Sequence, residues 1–442
     1  MNQKIVAGLL TLCMVGGAFA VATVSDTVMS LESHMVNEGG SHGERELQHT
    51  GGQPSALVQN DAFDVQWEKN YGPWHQWSAR YEGPQPVGDA DNDGKNELLI
   101  GGRDPFMRVM KYDEESGMYY EQQKIVDPVF GIGYSVGLRL FDEYISIPEP
   151  FGSATGFSIA DIDNDGDNEI GVAWGNHFSA FEWNGRRYQL MGRYIVVDEE
   201  GDRYGGTTLD CVVGDYDTDG ENEVIVTGGY RDVPEVITLA WNGDEFVEEA
   251  SWSDPHDGSV YFPWIADVDK DDENEVIIGP GNRLVVLDWT GDGFEPTVVQ
   301  EYSRRTQVFG CVGKDSTGDG APEIHVTFYT PELAVFTWNG STYEQIYAHE
   351  WEGELATIEA IDIGDVDGDG TAEVCVGTDQ VHILEWNGNT YVEDYLIDET
   401  YGMLAVTCVG DFDNDGTLEI NAGAVGDVGD EGYMSWIFKY GL

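Results

Sequence analysis

Short apolar runs recur along most of the chain, each broken by a dense polar stretch. Cys211-Val212-Val213-Gly214 leads into one such stretch, and Glu223-Val224-Ile225-Val226 leaves it. A third run ends in a Trp-Asn-Gly-like signature at Trp183, Trp241, Trp289, Trp338 and Trp386. An aromatic follows at Tyr188, Phe246, Phe294, Tyr343 and Tyr391, and a fourth run begins there, as in Tyr343-Glu344-Gln345-Ile346-Tyr347. Runs this short, rich in β-branched and aromatic residues and bounded by Gly, Asn and Asp, predict strands. Four strands per unit is the pattern of a propeller blade. The Asn-Gly pair predicts a hairpin turn, because it accepts the positive φ that tight hairpins need.

The polar stretch is itself a phrase, Asp-X-Asp-X-Asp-Gly-X-X-Glu, clearest from Asp365 to Glu373. Copies start at Asp89, Asp161, Asp215, Asp267, Asp315, Asp365 and Asp411, separated by 72, 54, 52, 48, 50 and 46 residues. A repeat of about 50 residues must be explained before any single residue. It predicts an all-β fold: a seven-bladed β-propeller of four-stranded antiparallel blades over residues 61–442. Asn60-Asp61-Ala62-Phe63 resembles the start of a fourth strand but precedes the first phrase. The last unit stops at Trp436 to Leu442, which matches its third strand. The N-terminal strand is therefore expected to complete the last blade and remove an exposed sheet edge. The enlarged first unit carries an insertion from about Asp127 to Thr155, with Phe130, Tyr134, Phe141, Tyr144 and Phe151. Long loops with aromatics are frequent ligand contacts.

The phrase has the chemistry of a cation site. Side-chain oxygens fall at positions 1, 3 and 5, glycine at position 6 permits the bend, and glutamate at position 9 closes the shell. Candidate metal ligands are Asp89, Asp91, Asp93 and Glu97; Asp161, Asp163, Asp165 and Glu169; Asp215, Asp217, Asp219 and Glu223. Further sets are Asp365, Asp367, Asp369 and Glu373, and Asp411, Asp413, Asp415 and Glu419. Two worn copies are Asp267, Asp269, Asp271 and Glu275, with Asp272 in the glycine place, and Asp315, Thr317, Asp319 and Glu323, which lacks one charged ligand. Hard oxygens in this number suit Ca²⁺, and Mg²⁺ prefers a tighter octahedron that keeps its waters. About five to seven calcium ions are expected. An EF-hand is excluded because position 12 is apolar, as at Ile100 and Val376.

Composition sharpens this. Acids number 83 against 21 bases, of which 8 are lysine, for a net charge of −62. Seven divalent ions would neutralise only a fraction of that, so the acidity is also a surface property. It argues against nucleic acid or an anionic membrane as partner, since both need positive charge, and suits a salty medium where screening removes self-repulsion. Residues 1–20 read as a secretory leader: Lys4, an apolar stretch from Ile5 to Gly17, and Ala18-Phe19-Ala20. Residues 21–60, with His34, His42 and His49, read as a flexible tether. A secreted or cell-surface location follows, with no membrane span in the mature chain. Of five cysteines, Cys13 lies in the leader; Cys211, Cys311, Cys375 and Cys408 read as buried thiols, with Cys375 and Cys408 the one pair near enough in sequence units to test for a disulfide.

The phrase, the unit length and the seven copies resemble the FG-GAP repeat, also described as integrin α-type or VCBS-like, over about residues 61–442. The resemblance implies a seven-bladed propeller with calcium in the hairpin between the first two strands of a blade. Gly101, Gly228, Gly279 and Gly377, after the second strand, also match. Position 9 departs from the family, being Glu where Asp is usual, and of the Phe-Gly signature Phe309-Gly310 is the nearest trace.

Two functions stand beside each other. The resemblance implies adhesion or protein contact on the face away from the acidic loops, with Tyr134, Tyr204, His256, Arg304, Arg305, Tyr401 and the insertion as contacts. The alternative is a carbohydrate-active propeller, a lectin or polysaccharide lyase, for which Arg304, Arg305 and Lys314 form the one basic cluster near a phrase. A lyase needs a base and neutralising groups in one cleft. The sequence offers no catalytic constellation, so a non-enzymatic binding module for a protein or glycan is the leading expectation.

Overall fold

The structure is a computed structural model that describes residues 62–71, 83–101, 106–126, 135–140, 143–148, 154–175, 177–196, 208–228, 235–256, 258–303, 306–351, 360–425 and 431–442. The chain divides into two units, Met1–Glu44 and Arg45–Leu442. The first unit, and with it the leader and most of the tether, lies outside the described residues.

Seven four-stranded antiparallel sheets follow one another. Blade one holds Val87–Gly88, Glu97–Ile100, Met107–Asp113 and Met118–Ile125, and blade two Ala154–Ala160, Glu169–Trp174, His177–Trp183 and Tyr188–Ile195. Blade three holds Thr208–Gly214, Glu223–Gly228, Val236–Trp241 and Phe246–Trp252. Blade four holds Trp264–Ala266, Glu275–Ile278, Arg283–Trp289 and Phe294–Glu301. Blade five holds Val308–Lys314, Glu323–Phe328, Glu332–Trp338 and Tyr343–Glu350, and blade six Ile361–Gly364, Glu373–Gly377, Val381–Trp386 and Tyr391–Ile397. Blade seven takes Met403–Gly410, Glu419–Val425 and Met434–Tyr440 from the C-terminal end and Phe63–Asn70 from the N-terminal end.

Burial explains the patterning. The second strands are buried along their whole length, as at Glu223–Gly228 and Glu323–Phe328, because neighbouring blades cover both faces. Fourth strands are less buried than second strands, ranging from largely exposed at Phe246–Trp252 to half-buried at Tyr391–Ile397. Each described Trp of the hairpin signature pairs across the sheet with the aromatic that follows it, Trp183 with Tyr188 and Trp386 with Tyr391, at ring-centroid distances of 4.8 and 4.9 Å. The turns differ in detail from the two-residue hairpin. Only the glycine takes positive φ, 82° at Gly185 and 93° at Gly243. The Asn side chain instead accepts the backbone N–H groups two and three residues on, as Asn184 does from Arg186 and Arg187. The asparagine acts through its side chain, forming an Asx turn.

The insertion contains a separate two-stranded hairpin, Ser135–Leu140 with Glu143–Pro148; Phe130, Tyr134, Phe141 and Phe151 lie outside the described residues. Cys211, Cys311, Cys375 and Cys408 are free and buried, so Cys375 and Cys408 are not joined.

Ring closure follows the sequence expectation. Phe63 faces Tyr440 and Asn70 faces Met434 along an antiparallel ladder. Phe63 is 4% exposed and meets Tyr395 and Tyr440 edge-on at 5.4 and 5.3 Å. Phe63→Ala is expected to cost about 3–5 kcal/mol, and deletion of residues 61–68 more. Urea unfolding reads both; an unchanged midpoint in the deletion would refute closure by this strand.

Candidate metal centre

The seven phrases fold alike, and each folds largely on itself. The first Asp accepts the backbone N–H of position 6 and that of position 5 or 4: Asp89 from Asp93 and Gly94 at 2.9 and 2.7 Å, Asp411 from Asp415 and Gly416 at 3.0 and 3.0 Å, but Asp365 from Gly368 and Gly370 at 2.8 and 3.0 Å. The fifth residue accepts the N–H of the seventh, as Asp219 does from Glu221. The closing glutamate is the first residue of every second strand. Six of the seven use one carboxylate oxygen to hold the backbone N–H of position 2, at Ala90, Ile162, Val268, Ser316, Val366 and Phe412. The other oxygen is left toward the loop.

Position 6 takes positive φ in every copy, including Asp272 at 70°, so the worn copy keeps the bend at the cost of backbone strain. Position 4 does the same: Asn92, Asn164, Thr218, Lys270, Gly318, Gly368 and Asn414 all lie in the left-handed region. The sequence reading did not single out this second bend.

The arrangement gathers carboxylates closely. Ligand atoms of Asp267, Asp269, Asp271 and Glu275, and of Asp365, Asp367, Asp369 and Glu373, lie within 4.8 Å of one another, as do those of Asp89, Asp91 and Glu97, of Asp161, Asp163 and Glu169, and of Asp215, Asp217 and Glu223. The closing glutamates are 0–4% exposed. Burial first, then the neighbouring aspartates, pushes Glu169, Glu223, Glu275 and Glu373 up to about 8. Glu97 and Glu419 are pushed less far, to about 7: burial raises them, and a lysine hydrogen bond opposes it. Four loop oxygens test the fit to a cation. Asp91 Oδ1, Glu97 Oε1, Glu223 Oε2 and Asp269 Oδ1 are buried with no hydrogen-bond partner, and such orphaned acceptors are costly unless a cation meets them; at Asp91 and Glu97 the Lys111 ammonium supplies that charge. A cavity lined by Asp271, Glu275 and Asp288 adjoins the fourth loop.

Two positions outside the phrase also reach the loops. One is Lys111, which pairs across the sheet with the closing Glu97; continuing the second-to-third-strand ladder by one residue gives Glu182, Ala240, Asp288, Thr337, Glu385 and Lys439 as its counterparts in blade order. The other is an extra residue at the bulge of the fourth strand, which is Gln122 in blade one, Glu249 in three, Asp394 in six and Gln66 in seven. In blade one, Lys111 Nζ lies 2.8, 2.9 and 2.5 Å from Asp91, Asp93 and Glu97. In blade seven, Lys439 Nζ lies 2.6, 2.8 and 2.6 Å from Asp413, Asp415 and Glu419. Blade five is met by hydroxyls: Ser316 and Thr317 both donate to Glu323. Ser316 also lies 2.8 Å from His325, but both are at most 1% exposed, so this Ser–His pair is closed to substrate.

Neighbouring loops are stitched together. Asn168 donates its side-chain amide to the Asp89 carbonyl, and its backbone N–H to Asn92, which donates back to the Asn168 carbonyl. Asn222 and Asn164 repeat this between blades two and three, and Asn96 and Asn414 across the closing junction. Asn274 clasps Asp215 and Thr218 between blades three and four. The remaining junctions lack the asparagine, having Pro322, Ala372 and Leu418 in its place, and charge bridges them instead. Lys270 lies 3.8 Å from Asp319, Lys314 2.5 Å from Asp362, and Asp362 accepts the Val409 N–H at 2.9 Å.

The opposite ends of the strands form the other face. Of the residues expected there, Tyr134, Tyr204, Arg304 and Arg305 lie outside the described residues. His256 is exposed, beside Asp254 at 3.4 Å. Tyr401 packs edge-on against Trp436 and donates to the Gly432 carbonyl, which ties it to blade seven. Lys314 is engaged by Asp362 and lies over the Trp264 ring. The sequence reading missed a row of rings: Tyr261 stacks on Phe309 at 4.6 Å, and Phe309 meets Tyr329 at 5.7 Å. Tyr329 is 43% exposed. The Phe309-Gly310 pair was the available signal.

This geometry defines an all-β, seven-bladed propeller with an acidic loop on each blade. Residues 365–420 match the FG-GAP-like repeat, and the same acidic phrase recurs in each of the seven blades. No curated protein matches the chain at the level of sequence. Among solved structures, BBS1N in complex with ARL6DN is similar in two crystals, one soaked with lead and one with mercury. TM-scores are 0.55 and 0.53 at 11% and 13% identity, each covering 86% of this chain and 98% and 97% of that one. Sqt1 of Saccharomyces cerevisiae is similar at TM-score 0.50 and 11% identity, covering 85% of this chain and 98% of that one. At these identities the likeness is one of fold.

Asn222→Ala is expected to cost about 1–3 kcal/mol, because the Asp161 carbonyl loses its partner. Ala372→Asn should return no comparable gain, since Gly318, at the fourth position of the preceding blade's loop, offers no side chain to complete a clasp. Chemical denaturation of the two variants checks this.

Proposed function

We propose that this chain is a secreted or cell-surface propeller, stabilised by calcium in its acidic loops, that docks another macromolecule on the face opposite those loops. The observation that carries the calcium reading is the gathering of oxygens from Asp267, Asp269, Asp271 and Glu275 within 4.8 Å of one another, with Asp269 Oδ1 buried and unpartnered. Asp161, Asp163, Asp165 and Glu169, with their counterparts in the other blades, would hold the ions. A bound ion supplies positive charge to oxygens that the fold has already gathered. Each ion at one hundred times its dissociation constant adds roughly 2.7 kcal/mol.

Docking on the opposite face is supported by the Tyr261–Phe309–Tyr329 row, which offers flat apolar rings with polar edges. BBS1N, similar in fold, was crystallised with a partner, ARL6DN. The same rings also suit a glycan, so carbohydrate recognition is the second reading. Among the described residues the Ser316–His325 pair is closed to substrate, which favours binding over turnover.

Chelation is expected to lower the melting temperature markedly, and calcium to restore it. The pH dependence has a definite sign. Glu169, Glu223, Glu275 and Glu373 hold their protons more tightly folded than unfolded, about 8 against an ordinary 4.5. Without an ion their contribution to stability is fully present below the unfolded value and lost as pH rises through about 8. Calcium needs the ionised form, so binding near neutrality releases protons. Calorimetric titration in buffers of different ionisation enthalpy should give buffer-dependent heats; identical heats would count against this assignment. For the partner, Phe309→Ala with Tyr329→Ala should abolish capture of the ligand found by pull-down or glycan array while leaving the melting temperature within a few degrees. Retained binding would move the docking site elsewhere.

A further inference from the structure

The seven acidic loops are not equivalent, and the difference lies outside the phrase. Blades one and seven carry intact phrases, from Asp89 to Glu97 and from Asp411 to Glu419. Yet a lysine from the third strand of each blade enters its own loop. Lys111 Nζ reaches Asp91, Asp93 and Glu97, and Lys439 Nζ reaches Asp413, Asp415 and Glu419. These are positions 3, 5 and 9 in both cases, the oxygens a cation would take. In each, the lysine meets Glu Oε1, the oxygen not used on the backbone.

A second donor accompanies each lysine. Gln122 Nε2 donates to Asp91 Oδ2 at 2.5 Å, and Gln66 Nε2 donates to Asp413 Oδ2 at 2.6 Å. The loops of blades two, three, four and six show the reverse. Each has an added carboxylate where these donors stand: Glu182, Glu249, Asp288, and Glu385 with Asp394. The lysine side chains are 8% and 12% exposed, so the ammonium groups are held in place and largely dry. A divalent ion could take these oxygens only by displacing the ammonium that already holds all three, and would otherwise meet a neighbouring like charge.

We infer that Lys111 and Lys439 take the place of calcium in blades one and seven, so that these two loops are neutralised from within the chain and bind no divalent ion. The two blades are neighbours across the closing junction, where the N-terminal strand supplies Gln66. The seam that joins the two ends of the ring therefore holds its acidic loops together without an external ion.

This inference rests on the calcium reading, and the test separates the two. Bound calcium is counted by elemental analysis after dialysis against a low, buffered calcium concentration, alongside melting curves with and without chelator. The full chain is expected to hold at most five ions, since two of its seven loops carry lysine. Lys111→Met and Lys439→Met should each gain one ion, and each should melt lower than the parent in chelator but recover with calcium. Glu385→Lys, which places a lysine opposite Glu373 in blade six, should lose one ion. Should the lysine variants fail to fold, this converse exchange still decides the matter. Six or seven ions in the parent, or counts unchanged in all three variants, would overturn the inference and leave the calcium reading intact. No ion in any of them would overturn the calcium reading, and the inference with it.

Discussion

Mutual repulsion among buried carboxylates is the constraint around which this molecule is arranged. The backbone of each loop uses the first Asp as an internal cap and the closing glutamate as an anchor for position 2, as Asp89 and Glu97 do. Those bonds fix the loop before any cation is considered, and in doing so they bring three or four acids to one point. A buried carboxylate without a counter-charge is expensive, so every blade must answer the same electrostatic problem. The contacts show more than one answer: an ammonium at Lys111 and Lys439, hydroxyls at Ser316 and Thr317, and open oxygens at Glu223 and Asp269.

This constraint also divides the molecule into two faces. One end of every blade is given over to the acidic turn, joined in blades two to six by the Trp-Asn-Gly-like hairpin, both tightly specified. The other end carries the connections between second and third strands and between blades, which bear no such demand and vary freely in length and composition. The stacked Tyr261, Phe309 and Tyr329 stand on that second face. Rigid scaffolds commonly place recognition on the loops they do not need for themselves.

The architecture was legible in the sequence because both of its signals are local. The phrase places a bend and the start of a second strand within nine residues, and the Trp-to-aromatic spacing places a hairpin. Even ring closure could be read, since Phe63 has the neighbours of a fourth strand without a blade of its own. What could not be read depends on register. Lys111 follows Glu97 at a distance that no motif marks, and it faces that glutamate only once the second and third strands are aligned. A trace was present: Lys111 and Lys439 both precede a tyrosine, Tyr112 or Tyr440, where the other blades have Trp. The clasps were hidden for the same reason. Asn168 bonds to Asp89 across two blades, and only the ring brings them together.

Those clasps are unevenly distributed, and this gives the ring two kinds of seam. From blade seven through blade four, adjoining loops are sewn by amide-to-carbonyl bonds that carry no net charge. From blade four back to seven they are bridged by Lys270, Lys314 and Asp362. Dissolved electrolyte weakens contacts of the second kind, most of all the exposed Lys270–Asp319 pair, and hardly touches the first. The circumference therefore has a brine-indifferent arc and a brine-sensitive one, and loosening under rising ionic strength begins on a known side.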